Sequence, residues 1–234
     1  MRSTHHAPAG GGPGAHRTNQ RVMAGRTLAL LGDSILDNAP YTGPEPDTAT
    51  HLQRLLGPDW DVLLLARDGA VMRDVPHQLR RLRGRPDLAV LSIGGNDAIE
   101  HIGLLDRPAA SSAEVLDELV GIVDAFARHY EEVARAVAER AHRTLLCTIY
   151  DVRLEPARYA RLVRVPVALL DDVIIRTGAR LGLDVLDVRS VCTDDADFVL
   201  QIEPSARGAA KIAAAIAAAA RDGDGLATGR LFTG

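Results

Sequence analysis

The sequence predicts a single three-layer α/β/α domain, doubly wound around a five-stranded parallel sheet. Five short aliphatic runs, at residues 28–31, 62–66, 88–93, 145–149 and 184–188, alternate with segments of helical period. Near-continuous apolar runs suit parallel strands covered on both faces, and the alternation places a helix between successive strands. The 234 residues are 47% hydrophobic and 25% charged, which is enough chain and enough apolar surface for one full core.

Residues 1–25 are rich in Gly, Ala, Pro, His and polar side chains and have no periodicity, so a disordered tail is expected there. The stretch lacks the apolar core of a secretory signal. The folded domain is expected over residues 26–221. Strand one ends in Gly32-Asp33-Ser34, where glycine permits a sharp turn. Asp33 and Ser34 are helix-capping types, so the hydroxyl is expected beside a helix amino terminus. The proline- and glycine-rich segment 37–47 is read as a loop at the rim of the strand edge, followed by a helix over 48–56. Strand two stops at Arg67-Asp68-Gly69, and residues 73–83 read as a helix with Pro76 in its first turn. Strand three ends in Gly94-Gly95-Asn96-Asp97. Ser111-Ser112-Ala113-Glu114 resembles a capping box opening one long amphipathic helix to about Ala141. After strand four, a helix is expected over 163–181 with Gly182 at its end, and after strand five a last helix starts near Pro204 or Ser205. Residues 222–234 read as a frayed tail.

Composition removes several classes of function. A formal net charge of −4 and a pI near 6.1 give no support for binding nucleic acid or an anionic membrane surface. No apolar run approaches the length of a membrane span. Cys147 and Cys192 do not form a disulfide framework, so a reducing, cytoplasmic setting is the default expectation. Neither Gly-x-x-x-x-Gly-Lys nor Gly-x-Gly-x-x-Gly occurs, which leaves phosphate or nucleotide binding without support.

The three glycine-terminated strands deliver Ser34, Gly69 and Asn96 to one edge of the sheet. A serine nucleophile needs donors aimed where negative charge develops on the attacked carbonyl oxygen. A glycine N–H, a side-chain amide and the serine's own N–H are suitable donors. Gly32-Asp33-Ser34, Gly69 and Gly94-Gly95-Asn96-Asp97 resemble, in order and spacing, the first three blocks of the SGNH, or GDSL, esterase and lipase family. The resemblance spans residues 28–220. It implies Ser34 as nucleophile, the Ser34 N–H, Gly69 N–H and Asn96 side chain as oxyanion hole, and a sheet of flavodoxin-like order 2-1-3-4-5.

The fourth block departs from that family. Where Asp-x-x-His is expected before the last helix, this chain has Leu200-Gln201-Ile202-Glu203. Glu203 stands in the place of the histidine base, and Leu200 in that of its orienting aspartate. Glu203 reads either as a base, its pKa raised by burial and by Asp33, Asp37 and Asp97 at the same edge, or as a cap of the last helix. His101, five residues after Asn96, is the other base candidate and otherwise an exposed loop histidine. The resulting expectation is a serine-dependent hydrolase of acyl esters acting through a Ser34 acyl-enzyme, without a cofactor, on a small-molecule acyl ester or acyl donor. An acyltransferase on the same fold and a non-catalytic binding module that has lost its base are the alternatives. They differ from the hydrolase in whether a proton acceptor stands within reach of Ser34.

Overall fold

The computed structural model of the protein describes residues 25–222 and 229–234. The tail expected at the amino terminus falls, except for Gly25, outside the described residues. In chain order the elements are β1 (Arg26–Gly32), α1 (Thr48–Leu56), β2 (Trp60–Leu64), α2 (Val75–Arg81), β3 (Leu88–Ser92), α3 (Gly95–Ile99), α4 (Ser112–Arg140), β4 (Arg143–Cys147) and α5 (Ala157–Leu181). They continue with β5 (Asp184–Leu186), α6 (Val188–Val191), β6 (Phe198–Val199), β7 (Glu203–Pro204), α7 (Ala206–Arg221) and β8 (Leu231–Phe232). The main sheet is parallel throughout, in the order β2-β1-β3-β4-β5-β8.

Alternation along each strand splits the core into two halves. Ala29, Leu31, Ala89, Leu91 and Leu146 face one layer, where they meet α2, α4 and α5. Leu28, Leu30, Leu88, Val90 and Leu145 face the other, against α1, α6 and α7. This is the three-layer arrangement expected, with both sheet faces covered. The sixth strand was not expected. Residues 231–232, read as part of a frayed tail, pair with β5 through Val185 N–H to Arg230 C=O (2.7 Å) and Asp187 N–H to Phe232 C=O (2.8 Å). Arg230 anchors them, its guanidinium lying 3.0 Å from Asp184 and 2.8 Å from Asp222. A two-residue strand carries no readable periodicity, which is why it escapes a sequence reading.

Helix ends follow the capping residues. Ser111 accepts from Glu114 N–H (3.2 Å) at the start of α4, and Glu114 accepts in return from Ala110 N–H (2.7 Å). Helix α7 is capped by Ser205, whose hydroxyl accepts from Gly208 N–H (3.2 Å). Glu203 is therefore not the cap of the last helix. Helix α5 begins at Ala157, earlier than expected, and runs through Pro166 where the spacing had put its first turn.

Candidate active site

The parallel register brings Ser34 and Asn96 to the same edge of the sheet. Gly32 pairs with Ser92 across β1 and β3, so Ser34 and Asn96 leave the same edge two and four residues further on. Gly32 is required: a Cβ there would lie 1.7 Å from the Ser92 carbonyl oxygen, and its φ is +128°. The turn that follows is stabilised by Leu36 and Asp37 N–H groups donating to the Asp33 carbonyl (3.2 and 3.1 Å). No helix begins there, contrary to the expectation for Ser34; the next helix starts at Thr48 under an Asp47 cap. The Asp33 carboxylate instead accepts from Ile35 N–H (3.2 Å), an Asx-type turn that consumes the capping tendency locally.

A cavity of about 220 Å³ opens at this edge. Of the expected site residues, Asp33, Ser34, Asn96, His101 and Glu203 line it, while Gly69, Asp37 and Asp97 are not among its lining residues. The segment after Asn96 lines the cavity through Ala98, Ile99, Ile102, Leu104 and Leu105. The loop 37–47 contributes no lining residue.

Glu203 is buried, 8% exposed, on the short β6–β7 ribbon where it pairs with Val199. Burial raises its pKa above the ordinary glutamate range, the neighbouring Ser34 hydroxyl draws it partly back, and Asp68 adds to the rise. Oε2 of Glu203 is buried and has no hydrogen-bond partner among the described residues. Asp33 is pushed up to about 8, chiefly by burial, opposed by the Ile35 N–H and reinforced by Glu203 and Asp97. Asp97 is also raised by burial, and it accepts from Met72 N–H (3.1 Å).

The expected donors are arranged differently from one another. Neither the Ser34 nor the Gly69 N–H has an acceptor among the described residues. Gly69 occupies an exposed left-handed turn with φ +74°. The Asn96 amide donates one hydrogen to the Ala70 carbonyl (2.9 Å), which ties this turn to α3 and leaves a second hydrogen for a ligand. His101 is exposed at the rim, at the start of a 3₁₀ turn over Ile102–Asp106. Cys192 is a buried free thiol whose pKa burial pushes up to about 12, an unreactive state.

A family model described as GDSL-like Lipase/Acylhydrolase matches residues 30–223. The chain belongs to that family. As a GDSL-family member it is a carboxylic ester hydrolase. No curated protein matches it in sequence. Among solved structures it resembles a phospholipase A1 from Streptomyces albidoflavus at 17% identity and TM-score 0.62, covering 80% of this chain and 96% of that one. An extracellular lipase from Streptomyces rimosus is similar at 15% identity and TM-score 0.59, with 80% and 95% covered. Axe2, an acetylxylan esterase from Geobacillus stearothermophilus, is similar at 17% identity and TM-score 0.57, with 85% and 96% covered. At these identities the likeness is one of fold.

Several residues that support the site of this GDSL-family chain were invisible to motif reading. Gln78 of α2 is buried and holds both backbone groups of Gly32, accepting from its N–H (2.8 Å) and donating to its C=O (2.8 Å). Asn38, fully buried, accepts from Thr48 N–H (3.0 Å) and donates to the Pro204 carbonyl (3.4 Å), joining the Ser34 loop to the strand of Glu203. The turn before Glu203 holds two non-glycine residues at positive φ, Leu200 (49°) and Gln201 (71°). It is clamped by Arg153 N–H to the Gln201 carbonyl (2.7 Å), Glu155 N–H to Gln201 Oε1 (2.7 Å) and the Tyr150 hydroxyl to the Ile202 carbonyl. For Gln78 there was a signal, a polar residue on the apolar Val75–Leu79 face of its helix.

Proposed function

We propose that this chain hydrolyses carboxylic esters through a Ser34 acyl-enzyme, with Glu203 as the proton acceptor in place of histidine. The observation that carries the reading is the buried Glu203 carboxylate beside the Ser34 hydroxyl, with its Oε2 left without a partner among the described residues. A carboxylate with a raised pKa is a stronger base than an exposed one and still ionises as the pH rises. In the first step Glu203 takes the Ser34 proton as Oγ attacks the ester carbonyl carbon. Charge on the resulting oxyanion is met by the Ser34 N–H, the Gly69 N–H and the free hydrogen of the Asn96 amide. Collapse breaks the ester C–O bond, and Glu203 returns the proton to the leaving alcohol. Water then attacks the acyl-enzyme, giving its proton to Glu203, and the acid leaves with Ser34 restored. Among the described residues no aspartate is hydrogen-bonded to this base; the clamped turn from Leu200 to Ile202 orients it instead. The two unpaired, buried thiols support a reducing, cytoplasmic setting for the enzyme.

The test is a fluorophosphonate reaction with peptide mapping, paired with turnover of short aryl esters by Ser34→Ala and Glu203→Gln. Labelling confined to Ser34, and comparable loss of turnover in both variants, is the expected result, because residues acting as one unit fail together. A fully active Glu203→Gln beside an inactive His101→Ala would transfer the base to His101. Resistance of Ser34 to the reagent would end the serine-nucleophile reading.

A further inference from the structure

We propose that the acyl half of the substrate is an unbranched aliphatic chain of medium length, lodged in the apolar arm of the cavity between residues 98–105 and helices α4 and α5. This rests on Ser34 being the nucleophile. Away from Ser34, Asn96 and Glu203 the cavity walls are side chains such as Ile99, Ile102, Leu105, Leu119, Ile122 and Val163. The polar groups that also face it are largely engaged. Thr148 donates to Asp187 (3.0 Å) and accepts from Val188 N–H (2.9 Å), the Tyr150 hydroxyl is held by the Ile202 carbonyl, and Asp33 accepts from Ile35. A polyhydroxylated group such as a sugar would lose its hydrogen bonds to water here and gain almost none in return.

The arm belongs to the acyl side because of where the reacting groups stand. Glu203 must give its proton to the departing alcohol, so the alcohol leaves past Glu203. Asn96, which meets the carbonyl oxygen, continues along α3 into Ala98 and Ile99, so the chain on that side stays attached to Ser34 after the alcohol has gone. At about 30 Å³ for a group the size of a water or a methylene, the whole cavity of about 220 Å³, which includes the space before Ser34, Asn96 and Glu203, takes roughly seven such groups. The reacting carbonyl takes part of that space, so the acyl chain reaches at most about eight carbons.

A series of p-nitrophenyl esters from acetate to hexadecanoate tests this. The value of kcat/KM should rise by about fourfold per methylene, the equivalent of ~0.8 kcal/mol of burial, up to about octanoate, and then fall. Ile122→Trp and Val163→Trp narrow the arm from opposite helices at half-buried positions, with folding checked by melting temperature. Each should lower the octanoate-to-acetate ratio of kcat/KM at least tenfold. A flat profile with acetate well hydrolysed overturns the chain assignment and leaves the Ser34 reading intact. So does a length dependence that follows the alcohol in a series of alkyl acetates. If no ester is turned over, the Ser34 reading fails and calorimetry with octanamide decides the pocket separately: binding weakened by Ile122→Trp supports it, and absence of binding overturns it.

Discussion

Asn96 combines two tasks in one side chain, since one amide hydrogen braces the Gly69 turn through the Ala70 carbonyl and the other faces the cavity. Asn96→Ala should lower kcat by roughly 100-fold or more, the scale of losing one oxyanion donor, with a much smaller change in KM. A variant changed only in KM would make Asn96 a ground-state contact. Gln78 acts one step further back, gripping Gly32 two residues before Ser34. Gln78→Leu fits the apolar face of α2 but leaves the buried Gly32 N–H unpaired, at about 1–3 kcal/mol, while the Gly32 carbonyl keeps the Arg67 N–H (2.9 Å). At about 2–4 °C per kcal/mol for a domain of this size, its melting temperature should drop by several degrees and kcat should fall with it. Unchanged melting would mean that water replaces the amide. Ser34 and Asn96 were legible as residues just past strand ends, and Glu203 as the residue standing where the resembled family has its base; the fold brings the three to one cavity. Asn38 and Gln78 serve through long-range hydrogen bonds; no local pattern marks Asn38, and Gln78 is marked only by its place on an apolar helix face.

Among the elements, long amphipathic helices and buried strands were legible because their periodicity and caps repeat the same message over many residues. The β6–β7 ribbon that carries Glu203 is two residues a side, and its turn is shaped by contacts from the loop after β4 instead of by turn-type residues of its own. Leu200 illustrates the point: it adopts φ 49°, where leucine is disfavoured and aspartate tolerated, and its side chain is 74% exposed. Leu200→Asp should thus be well accepted by the backbone. Combined with Glu203→His it rebuilds the Asp-x-x-His arrangement, and the double variant should retain or exceed the parental rate of aryl ester hydrolysis. The single change Glu203→His, without its carboxylate partner, should be slower than the pair. Equal, negligible rates for both would show that the clamped turn presents position 203 in a way suited to glutamate alone.

At the scale of the whole molecule, buried acids set activity and stability against each other as pH rises. Asp33, pushed up to about 8 in the folded protein from an ordinary aspartate value of 3.8, keeps a proton that the unfolded chain releases, and Asp171, pushed up to about 7, does the same. Asp97 and Glu203 are raised as well. Each of these groups contributes stability that is complete below its unfolded pKa and is lost as pH rises through its folded pKa. Asp184 and Asp187, held low by Arg230, Arg143, Arg189 and Thr148, work in the opposite sense, but their contribution disappears only on acidification through the ordinary carboxylate range. Between pH 6 and pH 9 the melting temperature should therefore decline, and kcat/KM should rise with pH through the raised pKa of Glu203 as its carboxylate becomes available to accept the Ser34 proton. Asp33→Asn is the decisive variant. It keeps the shape and the acceptor for the Ile35 N–H, removes the proton that Glu203 and Asp97 help retain, and should flatten the alkaline loss of stability. Melting temperatures that do not change from pH 6 to pH 9, or that decline equally with and without Asp33→Asn, would show that Asp33 is already ionised in the fold.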